Sequence, residues 1–120
     1  MLKKEDIVWG MLYTTSEDRN LQQGRRPLLL LGNDKACEYS PIISVIPLSS
    51  KHRKEKSIPT HVLIKPADTL NGKLKKDSVA LTEQLRCISN ESLIGGRVDS
   101  VNQETMNEIE KNIKLQLGIA

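Results

Sequence analysis

The stretch PLLLLGNDKACEYSPIISVIPL, residues 27–48, decides the fold. Two apolar runs, 27–31 and 42–48, are separated by the turn signals Gly32-Asn33-Asp34 and Ser40-Pro41. Each run is too short for a helix and is bounded by chain breakers, so each reads as a buried strand. Pro47 inside the second run predicts an edge or bulge position, because proline has no N–H to give a ladder. Upstream, residues 6–13 (DIVWGMLY) form another strand. Residues 14–26 (TTSEDRNLQQGRR) are polar throughout and predict a long loop. Loops of that length are uncommon in compact domains and are often functional. Downstream, residues 60–65 (THVLIK) predict a short strand, and Asn71-Gly72 marks a turn within 68–76. Residues 78–88 (SVALTEQLRCI) alternate and predict one long strand. Its alternation places Val79, Leu81, Glu83, Leu85 and Cys87 on one face. Glu83 interrupts that face, which implies a local twist or a buried, paired acid. After Gly95-Gly96 the period changes. Met106, Ile109, Ile113 and Leu117 recur at threes and fours, the stripe of an amphipathic helix. Asn102 is placed to cap it and Gly118 to end it. Strands followed by one terminal helix give an α+β class, mainly β: a small antiparallel sheet or barrel with a helix packed on it.

The chain of 120 residues is one domain's worth, read here as a single domain over 1–120. There is no Phe, and Trp9, Tyr13 and Tyr39 are the only aromatics. Valine, isoleucine and leucine must therefore fill the core, and three rings cannot build an RNA-stacking aromatic platform. A charged fraction of 28% and a mean hydropathy of −0.40 fit a folded, water-facing chain. No apolar run approaches the roughly 18 residues of a membrane span, and the start does not read as a signal peptide. Cys37 and Cys87 share no metal-binding spacing. They are expected to be buried or semi-buried thiols in a reducing cytosol.

Net charge is +3, from 18 basic and 15 acidic side chains. Residues 1–60 carry ten basic and seven acidic groups, and residues 61–120 carry eight of each. The excess sits at Arg25-Arg26 and in the basic run Lys51-His52-Arg53-Lys54-Glu55-Lys56, a pattern suited to a polyanion docked in one place. Lys51, Arg53 and Lys54 are the candidate phosphate contacts there.

No Walker loop, G-x-G-x-x-G, H-E-x-x-H or nucleophile elbow occurs, and the carboxylates are scattered, so no cofactor or metal is expected. His61 reads as a satisfied strand histidine and His52 as solvated. What remains are arginines and hydroxyls. Pro27 biases Arg26 toward extended geometry and mounts it where a strand begins. Ser49 leaves another strand. If the two strands are neighbours, Arg26 and Ser49 face one cleft. A guanidinium and a hydroxyl suit attack of an RNA 2′-oxygen on its own phosphodiester, because the substrate brings its nucleophile.

At these residues the chain resembles the MazF/PemK toxins. The resemblance runs from Asp6 to the C-terminus. It rests on the order of Asp6-Ile7-Val8, Gln22 through Arg26-Pro27, Asn33-Asp34, Ser40-Pro41, Pro47-Leu48-Ser49, Pro59-Thr60-His61-Val62, Lys76-Asp77-Ser78-Val79-Ala80-Leu81, Glu83-Gln84-Leu85-Arg86 and Leu117-Gly118. It implies an SH3-like barrel with a C-terminal helix, assembled as a homodimer in the cytoplasm. It also implies metal-independent cleavage of single-stranded mRNA, leaving 2′,3′-cyclic phosphate and 5′-hydroxyl ends, and inhibition by a cognate antitoxin. By the same resemblance Arg26 and Ser49 are the catalytic pair, and Gln22, Glu83, Gln84 and Arg86 contact RNA. Arg25 adds charge beside Arg26. Ser49 stands where the family has threonine, and Gln23 where it usually has glycine. Two other readings remain. Gyrase-poisoning CcdB toxins share the barrel but depend on a tryptophan near the C-terminus, whereas the only tryptophan here is Trp9. A non-catalytic RNA-binding barrel fits less well, since Arg26 and a hydroxyl at 49 are both kept.

Overall fold

The computed structural model describes residues 2–13, 23–32, 40–50 and 60–119. Seven strands and one helix follow in order: β1 (Asp6–Leu12), β2 (Gly24–Leu30), β3 (Ile42–Ser49), β4 (His61–Ile64), β5 (Ser78–Leu81), β6 (Arg86–Ser89), β7 (Leu93–Ser100) and α1 (Gln103–Leu117). All pairings are antiparallel, in the order β4-β5-β3-β2-β1-β7, with β6 also on β3.

Both faces of the sheet are apolar, and they are covered differently. Ile7, Leu29, Ile46 and Leu48 pack with Met106 and Ile109 of α1. Val8, Leu12, Leu28, Leu30, Ile43, Val45 and Ile88 cluster on the opposite face, where no residue of α1 joins them. That face is buried because the sheet curls onto itself, with Leu93 at the start of β7 packed against it. The ladder does not close, yet the result is a barrel-like sheet with a helix on its outer face, as the class reading required.

Several expectations change. Residues 78–88 are not one strand. Pairing with β3 sums to 128 along β5 (Leu48↔Ala80, Ser49↔Val79) and to 131 along β6 (Ile42↔Ser89, Val45↔Arg86). Three extra residues therefore lie between the two stretches, and they are the 3-10 turn Thr82–Gln84. The even alternation of the sequence hid this, because side chains on both faces of β5 are buried. Pro47 is not at a sheet edge. It is buried in the central strand, across from Leu28, at the interval where β3 passes from β6 to β5. On that side no residue of β5 or β6 pairs with it, so it sits at the break in the ladder, the bulge alternative and not the edge.

Arg25 and Arg26 are not in a loop either. β2 begins at Gly24, whose φ of +82° suits glycine at the strand's entry. Residues 14–22 of the expected loop lie outside the described residues. The glycine pair at 95–96 does not end the sheet but lies inside β7. Pairing of β7 with β1 sums to 106 at Asp6↔Ser100 and to 103 at Gly10↔Leu93, so β7 carries bulges. A Cβ at Gly95 would stand 3.2 Å from Trp9 Cβ, so the missing side chain lets β7 approach β1 there.

The helix obeys its signals. Asn102 Oδ1 accepts from the Thr105 N–H at 2.8 Å, and Gly118 closes the end with φ +71°. Met106 and Ile109 are fully buried, and Ile113 is partly buried against the same core. Leu117, expected on the stripe, is exposed, since the helix outruns the sheet. Cys87 is also exposed, with its Sγ 3.6 Å from Ser44 Oγ on β3. Cys37 lies outside the described residues.

Candidate nucleic-acid interface

Arg26 is held by a ladder, paired across β1 with Gly10, while Arg25 pairs with Met11 and Pro27 with Trp9. Successive residues of a strand alternate sides, so Arg25 and Arg26 face opposite ways. Arg25 shares a side with Trp9 and lies over its ring, 5.0 Å from the centroid. Arg26 donates its Nε–H to the Gln23 carbonyl at 3.1 Å.

The β2/β3 pairing sums to 75 at each of Leu28↔Pro47, Leu29↔Ile46 and Leu30↔Val45. Extending that register two residues places Arg26 across from Ser49. Ser49 is in turn paired with Val79 of β5 and is buried. The neighbouring strands that the Arg26–Ser49 reading needed are therefore present, and both residues line one cavity of about 420 Å³.

Trp9, Arg25 and Pro27 join them from β1 and β2, Leu48 and Ser50 from the end of β3, and Val98 from β7. A further wall comes from Lys73, Leu74, Lys75 and Lys76. Among the described residues, five basic residues and no acidic residue line this cavity. Its field favours a polyanion. The sequence reading passed over the three lysines. Counting residues 61–120 together cancelled them against acids that stand elsewhere, several of them on α1. The local run Lys73-Leu74-Lys75-Lys76 beside Asn71-Gly72 was the signal.

Asp99 explains how that wall is placed. It stands at the end of β7, almost fully buried, with its carboxylate turned toward the chain at 71–73. Oδ1 accepts the Asn71 N–H at 3.0 Å and Oδ2 the Lys73 N–H at 2.7 Å, while Oδ1 also accepts the Ser100 N–H at 2.7 Å. Burial raises the Asp99 pKa, but these N–H donors outweigh it and hold the carboxyl below its ordinary value of 3.8.

The remaining expected residues fall elsewhere or are not described. Glu83 does not line the cavity. It sits in the 3-10 turn and reaches β4, where Oε2 lies 2.6 Å from His61 Nε2 and Oε1 accepts from Thr60 Oγ1 at 3.3 Å. Thr82 Oγ1 donates to the Thr60 carbonyl. Both sequence alternatives hold in part, since the chain turns at Glu83 and its carboxylate is paired but only half-buried, and His61 is a satisfied strand histidine. Gln84 follows in the same turn. Arg86 begins β6 and donates from Nη2 to the Tyr13 carbonyl at 2.9 Å, beyond the end of β1. Neither residue lines the cavity. Gln22, Lys51, Arg53, Lys54 and His52 lie outside the described residues. Among the described residues no cluster of three or more His, Cys, Asp or Glu gathers at one point, and no helix is long and apolar enough to cross a membrane.

Comparison with known proteins fits this geometry. Residues 3–117 match the family described as the PemK-like, MazF-like toxin of type II toxin-antitoxin systems. An endoribonuclease MazF from Staphylococcus saprophyticus is 35% identical over 119 residues, covering 99% of this chain and 93% of that protein. A crystal structure of MazF from Deinococcus radiodurans superposes with a TM-score of 0.76 at 20% identity, covering 98% and 97% of the two chains. A mycobacterial endoribonuclease in complex with its cognate antitoxin gives 0.68 at 18% identity, covering 99% and 95%. A family match over nearly the whole chain, a relative at this identity and a shared fold make the chain a member of the PemK-like, MazF-like toxin family of type II toxin-antitoxin systems.

Proposed function

We propose that this protein is the toxin of a type II toxin-antitoxin pair and cuts single-stranded mRNA at a short sequence motif. The observation that carries the reading is that β2 and β3 are paired neighbours and that Arg26 and Ser49 line one cavity, with five basic and no acidic residues lining it among those described. The Staphylococcus saprophyticus relative, named an endoribonuclease, supports it.

The RNA 2′-oxygen attacks the adjacent phosphorus, and the bond from phosphorus to the 5′-oxygen breaks. The proton on the 2′-hydroxyl leaves to a base, and a proton reaches the departing 5′-oxygen. The products are a 2′,3′-cyclic phosphate and a 5′-hydroxyl. Arg26 stabilises the negative charge that develops on the non-bridging phosphoryl oxygens and takes part in proton transfer, and the Ser49 hydroxyl hydrogen-bonds the reacting phosphate. No metal takes part, because the nucleophile is within the substrate.

Arg25, with Lys51, Arg53 and Lys54 of the basic run, takes phosphates, and Gln22, Gln84 and Arg86 guide the strand. Glu83 is occupied by His61 and Thr60, so it acts by fixing the turn that carries Gln84 rather than by touching RNA. The protein works as a homodimer in the cytoplasm, and a cognate antitoxin blocks it by lying across the same groove.

The test is a long RNA incubated with purified protein in EDTA, with the 5′ ends sequenced before and after kinase treatment. Cleavage at a recurring motif, with ends that need the kinase to ligate, is expected. Cutting only after Mg²⁺ or Mn²⁺ is added would sink the mechanism, and no cutting with gyrase inhibition would give the reading to a CcdB-like poison.

A further inference from the structure

We infer that residues 71–76 form a second wall of the RNA track, in which Lys73, Lys75 and Lys76 take phosphates and Asp99 positions them from behind. This rests on the endoribonuclease reading and adds to it residues to which neither the resemblance nor the charge count gave a role. Three observations support it.

All three lysines are exposed and line the cavity that holds Arg26 and Ser49. None forms an ion pair with a carboxylate among the described residues. Lysines along a cavity that no acid lines among the described residues attract a polyanion rather than stabilise the fold. RNA is the polyanion, since the reacting phosphodiester must lie beside Arg26 and Ser49, and its neighbouring phosphates then need cations on either side.

The turn is also fixed in position. Gly72, with φ +64°, makes the bend. The Asn71 and Lys73 N–H groups are tied to a carboxylate from β7, and the Gly72 N–H to Thr69 Oγ1 at 3.1 Å. Thr69 bridges to Val101, and the Leu70 N–H donates to the Ser100 carbonyl at 2.8 Å. Leu74 is buried in the helix-side core between the lysines, so the wall has an apolar anchor as well. Asp99 touches no cavity residue's charged tip. It is a positioning residue and works through the backbone of the turn.

The test uses Lys73→Gln/Lys75→Gln/Lys76→Gln, all at exposed sites, in the full chain. Binding is read by fluorescence anisotropy with a mixed-sequence 2′-O-methyl RNA, which has no free 2′-hydroxyl and is not cut. Single-stranded RNA loses affinity with salt at a slope of about 0.7 per phosphate contact, so losing two or three contacts should flatten the slope by about 1.4–2.1. The cleavage motif, mapped on ordinary RNA, should stay the same, because phosphate contacts carry no base information. Asp99→Asn should raise KM for a fluorogenic RNA carrying the mapped site while kcat changes little.

A triple variant with the wild-type salt slope overturns the wall while leaving the nuclease standing, provided the wild type cuts. An Asp99→Asn protein that loses kcat at unchanged KM overturns the positioning role. A wild type that neither binds nor cuts RNA brings down both this inference and the function beneath it.

Discussion

Two groups of residues line the cavity, and they are held in different ways. The wall of β2 and β3 is set by ladders: Arg26 pairs with Gly10, Ser49 with Val79, and the strands between them pair from Leu28 to Leu30. The wall at 71–76 is set by a few hydrogen bonds, two of them from its backbone to the carboxylate of Asp99. A ladder fixes every residue along it, whereas a turn that gives two of its N–H groups to one carboxylate shifts when that group changes. The first arrangement suits chemistry, where a displacement of about 1 Å can cost around 10²-fold. The second suits binding, where lysines on flexible stems follow a phosphate wherever it lies.

The largest effect expected is on the ladder wall. Arg26→Ala should lower the cleavage rate by roughly 10²–10⁴, the range for a lost charge stabiliser or proton-transfer group. Thermal stability should barely change, since the side chain's hydrogen bond to the Gln23 carbonyl lies at the surface. Ser49→Ala should also lose activity and Ser49→Thr keep it. Wild-type cleavage by Arg26→Ala would erase the contrast between a reacting wall and a binding wall.

The two walls were not equally legible in the sequence. β2 and β3 announce themselves through apolar runs ended by proline and glycine, and Pro27 marks where Arg26 is mounted. Strand neighbours at fixed register then bring Arg26 and Ser49 together, so short-range signals were enough. The turn wall depends on Asp99, 26 residues from Lys73 and 28 from Asn71. Asp99 lies in LIGGRVDS, a strand whose two glycines, arginine and aspartate do not look like one. Its bulged pairing with β1 is a tertiary outcome that no local propensity encodes. The 3-10 turn at Thr82–Gln84 was hidden because both faces of β5 are buried, so its residues do not report the change of phase that three extra residues make.

A smaller effect is expected at the carboxylate behind the turn. Asp99→Asn removes a charge that accepts three backbone N–H groups, and an amide offers only one accepting oxygen. Leaving buried donors unmatched costs about 1–3 kcal/mol, measurable by urea denaturation at neutral pH. The sign of the pH dependence follows from the direction of the Asp99 shift. Its carboxyl is held below 3.8, so its stabilisation is complete above about that pH and is lost as pH falls through the lowered folded value. The wild type should therefore lose more stability than Asp99→Asn between pH 5 and pH 2, roughly the range in which such a carboxylate titrates. Parallel stability curves for the two proteins across that range would show that Asp99 does not brace the turn as an anion.

Gly10→Ala sharpens the contrast from the ladder side. Gly10 pairs with Arg26, and a Cβ there would come within 2.4 Å of Leu28 Cδ1. Leu28 is fully buried but its methyl end can swing, so overpacking should cost about 1–2 kcal/mol without preventing folding. Shifting the strand that carries Arg26 should lower kcat more than it raises KM. The opposite split is expected of Asp99→Asn. Equal splits in the two variants would mean that the walls share one role.

Glu83→Gln is the smallest change and tests a third place, the bend between β5 and β6. The amide oxygen still accepts from Thr60, and the isosteric side chain still reaches His61, so the geometry survives while the charge goes. Both groups are partly solvated, their side chains 29% and 10% exposed, so the ion pair itself is worth little. A loss of about 0.5 kcal/mol or less is expected in denaturation, with the mapped cleavage motif unchanged. A carboxylate that met the RNA would behave otherwise. Its removal would relieve repulsion, tighten binding at low salt and alter base preference at one position of the motif. The two outcomes separate on 5′-end sequencing alone. An altered motif would move Glu83 from the frame of the protein into its reading surface, and would make the bend, rather than the lysine turn, the place where sequence is read.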